Sequence, residues 1–395
     1  MMRWMRQRPA VFGTFVAAVL TASAHGHVAD KSFSTWTLDG THVRVSVRMR
    51  LPELANIPAD TTPEAYLPAN LVLMTDRGPA PATAAVRQSS GPAEWAIYRW
   101  SIETADATPL AIESRLFADS EVTHLHFARF PNASGGFHER VLSVRDPRWP
   151  LEHGAAASMS LLGYISLGMH HILEGWDHLA FVIALLLLAR SLKEVATLVT
   201  GFTIAHSITL GLATLGLVRP AMLPVEIMIG FSIVLIAAEN CWSCGGYRRV
   251  VPAVFVGAIL LAAALAVAGL GALTPVVWVG LALFSFCHFR MLKKTDKPAR
   301  LRAVLAFAFG LVHGFGFAGV LMEVQMAPGR LVQALLGFNI GVELGQLLVV
   351  ALVYPVLAGL ARVRGGAPRA IVAEVGSAAV CALGVFWVVT RTWVG

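Results

Sequence analysis

Two patterns of apolar and polar positions divide the chain. Between about residues 25 and 150 the apolar positions alternate. "HVRVSVRMRLP" sets Val and Met against Arg with a period of two, and "EWAIYRWSIE", "THLHFARF" and "RVLSVRD" follow the same rule between Pro, Gly, Asp and Asn turns. A period of two is that of a strand with one buried face. Several such strands without helical periodicity predict a β-sandwich-like domain. Beyond Leu151 the alternation stops. Apolar runs follow one another at 172–189, 196–218, 222–242, 250–270, 275–289, 301–322, 331–361 and 370–389. All but 275–289 approach the roughly 20 residues that a bilayer-spanning helix needs. A further apolar piece, 155–168, precedes them and fits a re-entrant or interfacial helix.

Composition sharpens this picture. The 395 residues are 56% hydrophobic and 14% charged, against about 25% charged in a soluble domain. The prediction is a mainly α polytopic membrane protein of about seven or eight spans, with an exported β-rich domain ahead of them. At the N-terminus, Arg3, Arg6 and Arg8 precede the short apolar core "AVFGTFVAAVLT" and the small-residue run "ASA" ending at Ala24. That is the layout of a cleaved signal peptide, so the expected division is 1–24 signal peptide, 25–150 exported domain and 151–395 transmembrane domain. None of the four cysteines (Cys241, Cys244, Cys287, Cys381) lies in the exported part, and no disulfide framework is expected there.

The net charge of +7 gains its meaning from its location. If 155–168 does not cross, eight spans alternate. One side then receives Arg190, Lys193, Arg248, Arg249, Arg290, Lys293, Lys294, Lys297, Arg300, Arg302, Arg362, Arg364 and Arg369, while the other receives Arg219, Arg330 and Arg391. Basic residues accumulate on cytoplasmic loops. The bias therefore favours eight crossings of a bacterial inner membrane, with the N-terminal domain and the C-terminus outside. It also assigns the positive charge to the cytoplasmic face and anionic lipid, not to nucleic acid.

Candidate chemistry lies inside the spans. "GMHHILEGWDHLAFVIALLLLAR" places His170, His171, Glu174, Asp177 and His178 at the mouth of the first run. As one helix, it would align His170, Glu174, Asp177 and His178 on one face and His171, Glu174 and His178 on a neighbouring stripe; Gly175 is a candidate break. Deeper, by about 1.5 Å of rise per residue, come His206 in "GFTIAHSITL" and His313 in "GLVHGFGFAG". Asn339, Glu343 and Gln346 share a face in "FNIGVELGQ", and Glu239 lies in the inner part of the third run. Ionisable groups at membrane depth cost at least about 2.5–3.5 kcal/mol each, which makes them functional candidates. Imidazoles with a few carboxylates suit Ni, Co, Cu, Zn or Fe. The plainer reading is that these groups hydrogen-bond one another and lock the bundle.

At these residues the sequence resembles the HupE/UreJ family of hydrogenase- and urease-associated membrane proteins, regarded as nickel or cobalt permeases. A histidine, five residues and then Asp-His, as in His171 to His178, is the family hallmark, and "HGFGFAG" and "FNIGVELGQ" resemble its branch with an exported N-terminal domain. The resemblance implies His171, Asp177 and His178 as ligands. Ile172 stands where the shorter permeases carry proline.

Other features carry their own chemistry. Cleavage after Ala24 would expose His25-Gly26-His27, a terminus able to form a square-planar nitrogen site for Cu(II) or Ni(II). His124 and His126 fall on one face of a strand, either as an exported metal site or as surface residues. "CWSC", Cys241 to Cys244, could receive a soft metal at a cytoplasmic end, and His288, beside Cys287 at another cytoplasmic end, could join it. The expected function is a permease for a divalent transition metal ion, Ni²⁺ or Co²⁺ first and Cu or Zn as alternatives. Its expected partners are the lipid bilayer and a periplasmic or cytoplasmic metal-handling protein; no pattern specifies an oligomer. An intramembrane metal-dependent hydrolase is the enzymatic alternative, although neither GxSxG nor HExxH occurs. A non-transporting metal sensor or assembly partner is the third reading.

Overall fold

A computed structural model of the chain describes residues 31–88, 95–104, 108–119, 124–131, 137–151, 160–189, 191–244, 249–324 and 328–394. It divides into two compact units. One is strand-rich and lies within 27–164; the other is helical and holds 165–322 and 332–395.

In the strand-rich unit the alternation in "HVRVSVRMR" becomes β2 (His42–Arg50). Val43, Val45, Val47 and Met49 are buried, and the arginines between them are not. Each fully buried side chain of this size contributes about 1.5–3 kcal/mol relative to exposure. β2 pairs antiparallel with β1 (Lys31–Asp39) and with β6 (Trp95–Glu103), setting Val45 opposite Trp36 and Trp100. The larger sheet has the order β5-β6-β2-β1-β8-β9, with β5 at Val86–Arg87, β8 at Leu125–Pro131 and β9 at Phe137–Ser143. The smaller has the order β10-β7-β3-β4, from Arg148–Pro150, Pro109–Ser114, Leu71–Thr75 and Gly78–Pro79. One short helix, α1 (Pro63–Asn70), enters β3. Both sheets contribute to a single core, with Trp36, Val47 and Trp100 from one and Leu73, Ile112 and Trp149 from the other. This is the predicted sandwich-like arrangement.

His124 and His126 are neither surface residues nor an open metal site. Both are buried, because β8 pairs in parallel with β1 and turns this face inward against Ser32 and Ser34. Burial pulls both imidazoles down to about 3, since an unpaired charge is costly in a low-dielectric interior.

The helical unit contains α2 (Leu161–Glu174), α3 (Trp176–Leu188), α4 (Leu192–Thr214), α5 (Met222–Cys244) and α6 (Val250–Val267). It continues with α7 (Pro275–Lys294), α8 (Pro298–Val324), α9 (Pro328–Arg362) and α10 (Ala367–Val389). Among the described residues, seven helices are long and apolar enough to cross a membrane. The pair α2–α3, bent by 72° at Gly175, makes an eighth if it counts as one span. The run 275–289 extends in the structure to Lys294, because Arg290, Lys293 and Lys294 continue the helix and can reach toward an interface.

Glycines set the closest helix contacts. A Cβ on Gly168 would lie 2.0 Å from the Phe338 carbonyl oxygen, and one on Gly341 2.0 Å from that of Ile165. α2 and α9 therefore cross backbone to backbone. Gly314 does the same for α8 on α4, where a Cβ would lie 2.3 Å from the His206 carbonyl oxygen. Small residues permit such approach between membrane helices. Here the approach brings His313, beside Gly314, next to His206.

Candidate metal centre

The site begins at the break between α2 and α3. Gly175 is extended (φ −77°, ψ 94°), so the carbonyl end of α2 and the amide end of α3 meet at an angle. A Cβ here would stand 2.7 Å from the His171 carbonyl oxygen and 3.0 Å from His178 Nδ1. Glycine thus lets His171, the last-turn histidine of α2, face His178, in the first turn of α3. Their ring centroids are 4.7 Å apart.

Two more helices complete the group. His178 lies 5.1 Å from His313 of α8 and 6.4 Å from His206 of α4, centroid to centroid. One ligand atom each from His171, His178 and His206 falls within 4.8 Å of the others. Nitrogens on one ion at about 2.0–2.1 Å stand roughly 3–4 Å apart, so modest side-chain shifts would let these three share it.

Hydrogen bonds show which nitrogens are available. Asp177 Oδ1 lies 2.8 Å from His178 Nδ1 and also accepts the His178 backbone N–H. An ionised carboxylate only accepts, so Nδ1 carries a proton, and in the neutral ring Nε2 holds the lone pair. Ser232 of α5 donates its only hydroxyl proton to the Ile229 carbonyl at 2.6 Å. It must therefore accept from His313 Nε2, 3.1 Å away, which leaves the lone pair of His313 on Nδ1. Both lone-pair nitrogens, His178 Nε2 and His313 Nδ1, are buried without a hydrogen-bond partner, and fully buried His206 has the Asn339 side chain near its ring but no close hydrogen bond. Buried nitrogens are ordinarily satisfied. Several orphans in one place, with the opposite nitrogen of two rings oriented by Asp177 and Ser232, match the support that metal-bound histidines receive.

Aromatic rings enclose the group. Phe317 and Phe338 stack on each other at 4.2 Å and lie 4.5 and 5.4 Å from His171. Phe181 and Phe202 each lie 5.1 Å from His313. They line the group with apolar surface, and a low dielectric strengthens every charge interaction inside.

With this geometry in place, the comparisons can be read. The model of the family described as HupE / UreJ protein matches residues 149–274 and 260–391, more than half of the chain. The chain belongs to the HupE/UreJ family. No curated protein and no solved structure matches it. All four histidines of the cluster lie within the HupE/UreJ match, whereas β1 to β9 precede it. The family and the apolar helices together make this a multi-pass membrane protein of a metal-related family.

The remaining candidates within the HupE/UreJ region occupy other places. Asp177 orients His178 and does not stand among the grouped ligand atoms. His170 is half-exposed and faces Glu174 at 3.6 Å, one helical turn along α2. Asn339 lies within reach of the His206 ring, while its amide donates to the Leu335 carbonyl. Glu343 accepts from Thr200 at 2.8 Å and Gln346 from Thr203 at 2.9 Å. Thr200 is six residues from His206 on α4, about 9 Å along the axis. Glu239 is engaged elsewhere. Its two oxygens meet Arg302 Nε at 2.6 Å and His288 Nε2 at 3.0 Å, and Arg302 also reaches Glu194 at 3.2 Å. His288 is thereby committed to a carboxylate. Cys241 is half-buried, and the side chain of Cys244, like His25 and His27, lies outside the described residues.

Sequence reasoning passed over Ser232, Arg302, the phenylalanine collar and Arg391. A lone serine within "GFSIVLIAAEN" was a readable signal, since a hydroxyl deep in a span needs a partner. Arg391 had been counted only as a loop charge. In the structure its guanidinium reaches Asp177 at 4.0 Å.

Proposed function

We propose that this protein is a permease for a divalent transition metal ion, with Ni²⁺ or Co²⁺ the first candidates, and that His171, His178, His206 and His313 form its intramembrane binding site. One observation carries the reading. Three histidines from the two halves of a broken span and a neighbouring helix place ligand atoms within 4.8 Å of one another, inside a bundle of membrane-length helices. Imidazoles without a carboxylate ligand favour Ni, Co, Cu and Zn over Mg, Ca and Mn.

The surroundings suit passage better than storage. Beyond the cluster, α4 and α9 carry Asn339, the Thr203–Gln346 pair and the Thr200–Glu343 pair, a succession of weaker oxygen donors. A conducting path needs sites strong enough to enter and weak enough to leave. The excess of basic residues on one set of loops supports an orientation with the Gly175 end outside and the Arg302–Glu239 end cytoplasmic. No ATP-binding GxxxxGK[ST] occurs. An inward potential of 100 mV favours a dication by about 4.6 kcal/mol, at about 2.3 per charge, so inward flow needs no separate engine.

The test is uptake of radiolabelled Ni²⁺, Co²⁺, Zn²⁺ and Cu into proteoliposomes by wild type and by the His178→Ala, His206→Ala and His313→Ala variants. Saturable uptake of one metal, lost in all three variants, is the expected result. Stoichiometric metal binding with no uptake would overturn the permease reading in favour of a sensor, and turnover of a lipid or peptide bond would favour a hydrolase.

A further inference from the structure

α10 does not stop at Val389. It passes into a single π-helical turn, Thr390–Val394, a form that often marks functional positions. Two contacts anchor this turn. The Ala272 N–H donates to the Thr392 carbonyl at 2.9 Å, and Trp393 stacks on Trp278 with centroids 5.9 Å apart and planes 10° apart. Gly271 (φ 95°) leaves room for the indole, since a Cβ there would stand 2.8 Å from Trp393 Nε1.

The anchored turn aims Arg391 into the bundle, with its side chain 11% exposed. Nη1 donates to the Glu226 carbonyl oxygen at 2.8 Å, Nε lies 3.9 Å from Glu226 Oε2, and Nη2 lies 4.0 Å from Asp177 Oδ2. Asp177 is thus held at both oxygens. Oδ1 receives two N–H groups of His178, and Oδ2 faces a fixed positive charge.

We propose that Arg391 is a positioning residue that holds the Asp177 carboxylate out of the metal's coordination sphere and offsets its charge. The cluster then binds its ion through neutral imidazoles alone. This deepens the reading of the histidine cluster as a metal-binding site and rests on that part of the proposed function. With Arg391 in place, its guanidinium offsets part of the negative charge of the Asp177 and Glu226 carboxylates. Without it a dication would meet both carboxylates with that positive charge gone, and Asp177 Oδ2 could turn toward the ion. Anionic ligation in a water-poor site holds a dication tightly and admits oxygen-preferring ions such as Mn²⁺. Arg391 therefore sets both release and selectivity.

The test uses the full chain in nanodiscs, titrated with Co²⁺ and followed by the visible absorption of the bound ion, which reports its ligand set without requiring transport. Arg391→Gln is expected to bind Co²⁺ about tenfold or more tightly, as removal of a charge this close implies. It should also alter the Co²⁺ spectrum, let Mn²⁺ compete, and lower both the half-saturation and the maximal rate of uptake. Arg391→Lys is expected to restore wild-type spectrum and metal preference. Arg391→Gln with wild-type affinity and spectrum overturns the inference. Should Arg391→Gln fail to fold, Asp177→Asn answers the same question. A retained wild-type Co²⁺ spectrum supports an Asp177 outside the coordination sphere, and a changed one overturns it. Wild type that binds Co²⁺ but does not transport it defeats the permease reading while leaving this inference standing on binding; wild type that binds no Co²⁺ defeats both.

Discussion

Both units bury histidines in contact with hydroxyls, yet they do so to opposite ends. In the strand-rich unit, Ser32 Oγ lies 2.9 Å from His124 Nε2 and 2.7 Å from His126 Nδ1. Ser34 Oγ lies 2.8 Å from His126 Nε2 and accepts from Trp36 Nε1. Both nitrogens of His126 are engaged, while His124 bonds through Nε2 and packs its ring 4.6 Å from Phe117, with Nδ1 buried without a hydrogen-bond partner. In the helical unit, Ser232 and Asp177 each take one nitrogen of a histidine and leave the other pointing at further imidazoles. Burial alone therefore does not set the second group apart. What differs there is that several oriented rings turn toward one another, with ligand atoms of three of them within 4.8 Å.

The largest effect expected from this contrast is on uptake. His206→Ala or His313→Ala should reduce metal uptake in proteoliposomes by about 100-fold or more, at or beyond the upper end of what losing a supporting group costs. His126→Ala should leave uptake by the folded protein within about twofold and instead lower the thermal stability of the strand-rich unit. Equal loss of uptake in His126→Ala would erase the distinction.

Acid separates the two groups next. Unfolded imidazoles take up protons near pH 6.5, while folded His124 and His126 do so only near pH 3. Stability from these residues is whole above pH 6.5 and falls as pH drops from 6.5 toward 3, by an order of a few kcal/mol. Limited proteolysis of the full chain in nanodiscs should show the strand-rich unit cleaved at pH 4 and resistant at pH 7. His126→Gln should weaken that dependence.

Smaller effects should follow from the groups that orient the rings. Ser232→Ala and Asp177→Asn are each expected to weaken Co²⁺ binding by about 10- to 100-fold, read by equilibrium titration. Ser34→Ala should not change it. Gly175→Ala forces a Cβ to within 2.7 Å of the His171 carbonyl and should cost about 1–3 kcal/mol of strain, shared between lower stability and weaker binding. The smallest change belongs to His170→Ala. That side chain is 43% exposed and turned to Glu174, and uptake should move by less than about twofold, in the range of ordinary surface substitutions.

How much of this could be read in advance differs between residues. The period-two positions of β2 and the succession of apolar runs were legible because each is a one-dimensional signal set by local geometry and by the thickness of a bilayer. The His171-to-His178 spacing was equally legible. Depth along the helices also drew His206 and His313 together with Glu239 and Glu343. Depth says nothing of lateral position. In the folded chain Glu343 goes to Thr200, and Glu239 goes to Arg302 and His288. The shared strand face of His124 and His126 was readable too, but whether that face looks outward depended on β8 pairing with β1.

Sequence by itself determined the two-part organisation, the membrane class of the second part and the gathering of ionisable side chains at the head of its first span. Hydrophobic periodicity and the high cost of ionisable groups in hydrocarbon leave few alternatives for such patterns. Tertiary structure decided which histidines meet, which nitrogen each presents, and that Asp177 faces Arg391 from the far end of the helical unit. Those choices depend on a 72° break at one glycine and on helices touching at others. Contacts between residues more than 200 positions apart are governed by packing, which no local pattern in the chain encodes.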